Sequence, residues 1–176
     1  MCDDDSNSIC RECGLCCNGV IFADVQLQPG DNAAKLRSLG LAFATNQKSA
    51  IGNRKFKQPC TAFAGCRCNI YSERPQYCRK FECLLLKSVK AGHTEPAAAL
   101  RIIRKTLRRV KKVERLLHEL GDTDETIALS KRFRHLQRQF ETSPLNAEAS
   151  HKFGELTLAV HDLNMLLAEK FYPGPE

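Results

Sequence analysis

Apolar residues recur at helical spacing throughout the second half of the chain. The first series lies on one face of a helix that Gly121 would end, and it comprises Leu100, Ile103, Leu107, Val110, Val113, Leu117 and Leu120. A second series runs from Ile127 to Phe140, and a third runs from Ala149 to Leu167. Thr94 is the expected cap of the first helix, and Ser143-Pro144 is the expected start of the third. Three amphipathic helices with short connections predict an antiparallel three-helix bundle.

The first half has shorter and less regular patterns. The apolar run Val20-Ile21-Phe22 predicts a strand. Asp31 is placed to cap a helix that ends at Gly40, and Arg79 to Lys90 is expected to form one short helix. A small hairpin is predicted around Gly52-Asn53. Short strands and helices separated by turns predict a small α+β module.

The cysteines and the histidines lie in different halves of the chain, and the boundary between them agrees with the change in hydrophobic pattern. All ten cysteines lie between residues 2 and 83, whereas all five histidines lie at residue 93 or later. Ala91-Gly92-His93 is the natural linker between the two halves. We therefore predict an α+β fold with a cysteine-cluster metal-binding module at residues 1–92, followed by a helical bundle at residues 93–176.

The thiols near the start of the chain have the spacing of a metal chelate. Cys10-x2-Cys13-x2-Cys16 places three soft anionic ligands within seven residues, which suits an iron–sulfur cluster or Zn²⁺. The spacing matches the first three ligands of the bacterial ferredoxin run. Zinc sites more often pair two C-x2-C knuckles, and the cysteines from Cys60 onward contain none. An iron–sulfur cluster is therefore favoured, with zinc as the alternative, and Cys2 and Cys66 are interpreted as small buried side chains.

The wider cysteine pattern resembles a known family. Cys10-x2-Cys13-x2-Cys16-Cys17 is followed by Cys60 and by Cys68-Asn69-Ile70-Tyr71-x2-Arg74-Pro75-x2-Cys78-x4-Cys83, as in the YkgJ-type CxxCxxCC proteins, which are described as a proposed zinc- or iron-chelating domain. The flagellin lysine N-methylase carries a similar module, and that likeness is what suggests a [4Fe–4S] cluster. The same likeness suggests an alternative function, in which the protein is a component of a protein (flagellin-type) lysine N-methylation system. The resemblance implies eight ligands: Cys10, Cys13, Cys16, Cys17, Cys60, Cys68, Cys78 and Cys83.

Positive charge is concentrated in one predicted helix. The chain carries a net charge of +7, and eight Lys or Arg residues lie between Arg101 and Arg115. On a helix they occupy an arc of about 160° opposite the apolar face. Their five like-charged i,i+4 pairs cost roughly 1–2.5 kcal/mol together. This stretch is either a solvated helix face, a nucleic-acid-binding surface or a site for an acidic protein partner.

Several classes of protein are disfavoured by the sequence. No apolar run approaches the roughly 18 residues of a membrane-spanning helix, so we expect no membrane partner. The acidic start Met1-Cys2-Asp3-Asp4-Asp5 is unlike a signal peptide, and a cytoplasmic location is expected. We find no phosphate-binding glycine loop, nucleophile elbow or carboxylate pair, so no catalytic residue is assigned.

Overall fold

A computed structural model of the chain describes residues 8–43, 54–65, 67–142 and 146–172. It divides into two compact units. The first comprises the residues up to Glu82 together with Thr126–Ala128, and the second comprises Cys83–Glu125 with the residues from Leu129 onward. The predicted α+β class is confirmed, since short antiparallel strand pairs accompany the helices. The predicted domain boundary after residue 92 stays a prediction.

The first unit is built from short elements around a small apolar core. They are α1 (Ser8–Cys13), β1 (Asp24–Gln26), α2 (Ala33–Ser38), β2 (Lys55–Lys57), β3 (Phe63–Ala64), β4 (Arg67–Cys68) and α3 (Gln76–Lys80). Strands β1 and β2 are antiparallel, with Val25 opposite Phe56, and both of these side chains are buried between polar neighbours that are more accessible to solvent. Their alternation is the period-two pattern of a half-buried sheet. The core contains Val25, Leu27, Ala33, Leu36, Leu41, Phe56, Ala62 and Ile70.

The predicted strand at Val20-Ile21-Phe22 is wrong. The Val20 N–H donates to Asn18 Oδ1 at 3.2 Å and the Ile21 N–H donates to the Leu15 carbonyl at 3.0 Å, so these donors are satisfied within a compact loop. Their apolar side chains are buried there without joining a sheet. The strand instead begins at Asp24.

The cap of α2 also differs from the prediction. Asn32 is the cap, and its side-chain oxygen accepts the Lys35 N–H at 3.0 Å. The neighbouring Asp31 does not cap the helix. Its carboxylate instead accepts the backbone N–H groups of Gln28 and of Gln76, as described below.

The second unit consists of helices α4 (Leu84–Lys90), α5 (Pro96–Glu119), α6 (Leu129–Thr142) and α7 (Ala147–Lys170). Helix α5 packs against α6 and α7, and the ring of Phe153 on α7 contacts the rings of Phe133 and Phe140 on α6. Ile127 precedes α6 and is 37% exposed, so it does not belong to the predicted apolar series. That the long helices form an antiparallel three-helix bundle stays a prediction.

Helix α5 begins one residue later than expected. Glu95 is the cap residue and Pro96 occupies the first turn, where its missing N–H costs nothing. The Thr94 hydroxyl is instead 2.6 Å from the Ser88 hydroxyl.

No helix among the described residues has both the length and the apolar character needed to cross a membrane. The predicted cytoplasmic location stays a prediction.

The single helix predicted from Arg79 to Lys90 is interrupted. Phe81 has extended backbone angles (φ −69°, ψ 125°), which end α3 although its N–H still donates to the Tyr77 carbonyl at 2.9 Å. The Phe81 ring packs edge-on against Phe22, with 4.8 Å between centroids. The extended backbone at Phe81 therefore divides the predicted helix into α3 and a second helix that begins at Leu84. The predicted hairpin at 52–53 and the predicted helix start at 143–144 lie outside the described residues.

Candidate metal centre

The first thiols of the pattern lie on α1 and on the turn that follows it. Cys10 is exposed and Cys13 is partly buried at the end of α1. Gly14 has φ 62°, and its carbonyl accepts the Cys17 N–H at 2.8 Å. A positive φ is readily adopted only by glycine, so Gly14 allows the chain to turn back after two cysteines and present two more.

A backbone hydrogen bond joins this turn to the second cysteine segment. The Cys60 N–H donates to the Cys17 carbonyl at 2.8 Å, and the Cys60 carbonyl accepts the Phe63 N–H at 2.9 Å. Phe63 begins β3, which pairs with β4 so that Phe63 lies opposite Cys68. Residues far apart in the sequence are therefore held together by the main chain, independently of what their sulfur atoms bind.

The third segment is α3, which carries Cys78. Its position is fixed from its first residue, because the buried Asp31 carboxylate accepts the Gln76 N–H at 2.9 Å and the Gln28 N–H at 2.8 Å. The side chains of Cys60, Cys68 and Cys78 all pack against the apolar core of the first unit. The fold thus brings cysteines from three separate segments to one side of a shared core.

The last cysteine of the pattern has a different place in the fold. Cys83 begins the second unit and is the cap residue of α4, where its sulfur accepts the Leu86 N–H at 3.5 Å. The two remaining cysteines, Cys2 and Cys66, lie outside the described residues.

The clustered thiols are strongly held in the neutral form. Burial, followed by the neighbouring Cys60 and Cys68 thiols, raises the pKa of Cys17 to about 12. Burial, followed by Cys17, Cys60 and Cys68, raises the pKa of Cys78 to about 12. Burial also raises the pKa of Cys60, against hydrogen bonding from the backbone of Ala62. Several thiolates in this space would repel one another, and a bound cation would reverse that preference by forming bonds to the charged form.

Arg74 supplies positive charge beside these thiols. Its guanidinium lies 3.6 Å from the centroid of the Tyr71 ring, and its Nε donates to the Tyr71 carbonyl at 3.0 Å. It acts to lower the pKa of both Cys17 and Cys78, although burial outweighs it. The stacking and the hydrogen bond fix the guanidinium, so its charge is already placed when thiolates form.

The donor set fits an all-sulfur metal site. The first unit has no histidine, and its clustered thiols are the ligands that Zn²⁺ and iron–sulfur clusters share. In the part of the chain that the structure describes, no three His, Cys, Asp or Glu side chains are arranged as ligands around one ion. The thiols are neighbours through their backbones, and ligation requires their side chains to turn toward a common point.

A buried amide near the thiols lacks a partner. Gln58 is 3% exposed, and among the described residues its Oε1 has no hydrogen-bond donor. It lies two residues before Cys60, and its own N–H donates to the Ala23 carbonyl at 3.2 Å. A buried acceptor without a donor costs about 1–3 kcal/mol, so a bound group or water that donates to it would stabilise this region. Nothing in the sequence pattern distinguishes Gln58 from an ordinary polar loop residue.

An open cleft borders the thiols. It has a volume of about 370 Å³ and is lined by Gln28, Pro29, Gln76, Tyr77, Lys80 and Phe81. Burial raises the pKa of Tyr77, and the nearby Cys16 and Cys78 thiols add to that shift. Tyr77 therefore lines the cleft and also lies near Cys16 and Cys78.

Comparison with known proteins gives one assignment. A family model, CxxCxxCC, described as a proposed zinc- or iron-chelating domain, matches residues 9–111, which is more than half of the chain. The chain belongs to the CxxCxxCC family. The resemblance drawn from the cysteine pattern is thereby confirmed, and the family description supports metal chelation by this CxxCxxCC protein. No curated protein and no solved structure matches the chain significantly.

Proposed function

We propose that this CxxCxxCC protein holds an iron–sulfur cluster, of the [4Fe–4S] type, through thiolates drawn from its eight patterned cysteines. These are Cys10, Cys13, Cys16, Cys17, Cys60, Cys68, Cys78 and Cys83. The observation that carries the proposal is the hydrogen bond between the Cys17 and Cys60 backbones, with Cys68 and Cys78 packed against the same core. The ferredoxin-like spacing of the first three cysteines, and the lack of a second C-x2-C pair from Cys60 onward, favour iron–sulfur over zinc.

The proposed role of the cluster is either structural or redox and regulatory. The first unit is small, and its strands are two or three residues long. A small domain of this kind gains much of its stability from metal–ligand bonds. The partly buried thiols and the charge of Arg74 would set how readily a bound cluster is reduced, because burial and nearby charge tune reduction potentials. The predicted helical bundle at 93–176 is proposed as a separate domain that accompanies this module.

Metal analysis of anaerobically purified full-length protein tests the proposal. We expect about four iron and about four sulfide per chain, with a brown colour and absorbance near 400 nm, because thiolate-bound clusters absorb there. A colourless protein with stoichiometric zinc would overturn the cluster and establish the zinc alternative.

The methylation alternative makes a different prediction. It requires the protein to bind S-adenosylmethionine, which isothermal calorimetry would detect as heat. An absence of heat together with a bound cluster would leave the metal module as the function.

A further inference from the structure

Helix α5 presents a continuous cationic surface. Between residues 101 and 115, all of which the structure describes, every exposed side chain is Lys or Arg. The opposite side of the helix is buried and includes Ile103, Val110 and Val113. We define the α5 basic face as the six exposed cations that precede Arg115: Arg101, Arg104, Lys105, Arg108, Lys111 and Lys112.

The described part of the chain forms no ion pairs with this face. None of its six cations forms an ion pair with another described residue, whereas Arg115 pairs with Glu119 and the half-buried Arg109 donates to the Asp162 carbonyl at 2.8 Å. Two acidic side chains interact electrostatically with the face: Lys111 acts to lower the pKa of Glu114, and Lys105 acts to lower the pKa of Glu169. Glu169 is already paired with Lys170, at 2.7 Å. Within the described residues, the repulsion between successive cations is therefore not relieved by ion pairs, and an anionic partner would relieve it.

We propose that the α5 basic face binds the phosphate backbone of double-stranded nucleic acid, without preference for base sequence. The face extends along about 17 Å of helix, from Arg101 to Lys112, at 1.5 Å per residue. A duplex carries one negative charge per about 1.7 Å of its axis, which makes it a partner whose affinity rests on charge alone.

Other anionic partners fit this face less well. The centre of a protein interface is usually depleted of charge and rich in aromatic side chains, although Arg is also common there, and none of the exposed side chains between residues 101 and 115 is apolar or aromatic. Single-stranded nucleic acid is held by stacking on aromatic side chains, which are also missing from these positions. A membrane-surface helix inserts its apolar side, but here that side is buried in the second unit.

A pair of matched double variants tests the proposal. Arg104→Gln with Arg108→Gln removes two charges from the α5 basic face, and Arg134→Gln with Arg138→Gln removes two charges from exposed α6 positions at the same i,i+4 spacing. Each full-length protein is titrated into a fluorescent DNA duplex of about 20 base pairs, over salt concentrations from about 0.05 to 0.2 M, with binding read by anisotropy. Circular dichroism confirms that helix content is unchanged.

The expected result is specific to the α5 basic face. The α5 variant should lower duplex affinity on the order of tenfold and reduce the slope of log affinity against log salt by about two, since each phosphate contact contributes about one. The α6 variant should bind like the unmodified protein. Equal losses in both variants, or no duplex binding by the unmodified protein, would overturn the proposal. Binding to polyglutamate or to phosphatidylserine vesicles, with no binding to the duplex, would overturn it in favour of an acidic protein or a lipid surface.

Discussion

Replacing Gly14 by alanine tests whether the Phe63 ring packs against the cysteine turn, which we define as residues 14–17. A Cβ added at Gly14 would lie 2.5 Å from Cζ of Phe63, closer than carbon atoms approach, so the ring would have to shift. Alanine at this left-handed backbone conformation costs roughly 1–2 kcal/mol. Displacing a packed side chain adds about 1–3 kcal/mol, which gives a total loss of about 2–5 kcal/mol in the free energy of unfolding of the first unit.

Gly65 provides a matched control for the backbone cost. It has the same φ of 62°, but a Cβ there would meet no atom within 4 Å. Gly65→Ala should therefore cost only the backbone term of about 1–2 kcal/mol. Any effect of alanine on the unfolded chain is common to both variants and cancels in their difference.

Amide hydrogen exchange, read by mass spectrometry on peptides that contain β1 and β2, measures the stability of the first unit separately from the helices. With metal bound, Gly14→Ala should open these strands more often than Gly65→Ala does, by roughly fivefold or more. Equal exchange in the two variants would refute the reasoning, because it would mean that Phe63 does not pack against the cysteine turn.

Three further predictions concern single side chains. Burial raises the pKa of Glu114, so ionisation of this side chain opposes folding at pH values above its unfolded-state pKa. Urea titrations should therefore show that Glu114→Gln raises the free energy of unfolding at pH 7 but not below about pH 4. The control Glu155→Gln, at an exposed position, should change the free energy of unfolding at neither pH. Arg74→Gln removes the fixed charge beside the thiols and should weaken the affinity of the metal-free protein for zinc about tenfold, measured in competition with a chelator. The control Arg79→Gln, at an exposed position, should change the zinc affinity by less than about twofold. Asp31→Ala removes two hydrogen bonds to a buried carboxylate and should destabilise the first unit by about 3 kcal/mol in hydrogen exchange; a loss under about 1 kcal/mol would mean that α3 is positioned by other contacts.

The long helices show how much local pattern can predict. On α5 the apolar spacing correctly identified Ile103, Val110 and Val113 as buried, because a 3.6-residue period determines which side chains share a face. Thr106 is also fully buried and could not be found in this way, since its residue type is polar. Its hydroxyl donates to the Ile102 carbonyl at 2.9 Å, which satisfies the polar group inside the helix.

The cysteine site shows where local pattern stops being sufficient. The residue types and spacing predicted eight candidate metal ligands, which stay a prediction, and the family assignment supports metal chelation in general. The meeting of Cys17 with Cys60 depends on a hydrogen bond across 42 intervening residues, and the position of Cys78 depends on Asp31, 45 residues before Gln76. Such non-local contacts leave no periodic signal, so sequence reasoning read Asp31 only as a helix cap.

Cysteine alkylation with and without metal tests the central claim, that thiols from separate segments share one metal centre. Full-length protein is treated with an alkylating reagent before and after removal of its metal by a chelator, and each cysteine is quantified by mass spectrometry. We expect Cys17, Cys60, Cys68 and Cys78 to be protected together in the metal-bound protein and to react together once the metal is removed, because all four are only partly buried. Burial keeps Cys17, Cys60 and Cys78 largely in the neutral form, so the alkylation is slow and is run at about pH 9, where more of each thiol is ionised. Metal-bound protein in which these four cysteines react as fast as they do after chelation would contradict the account.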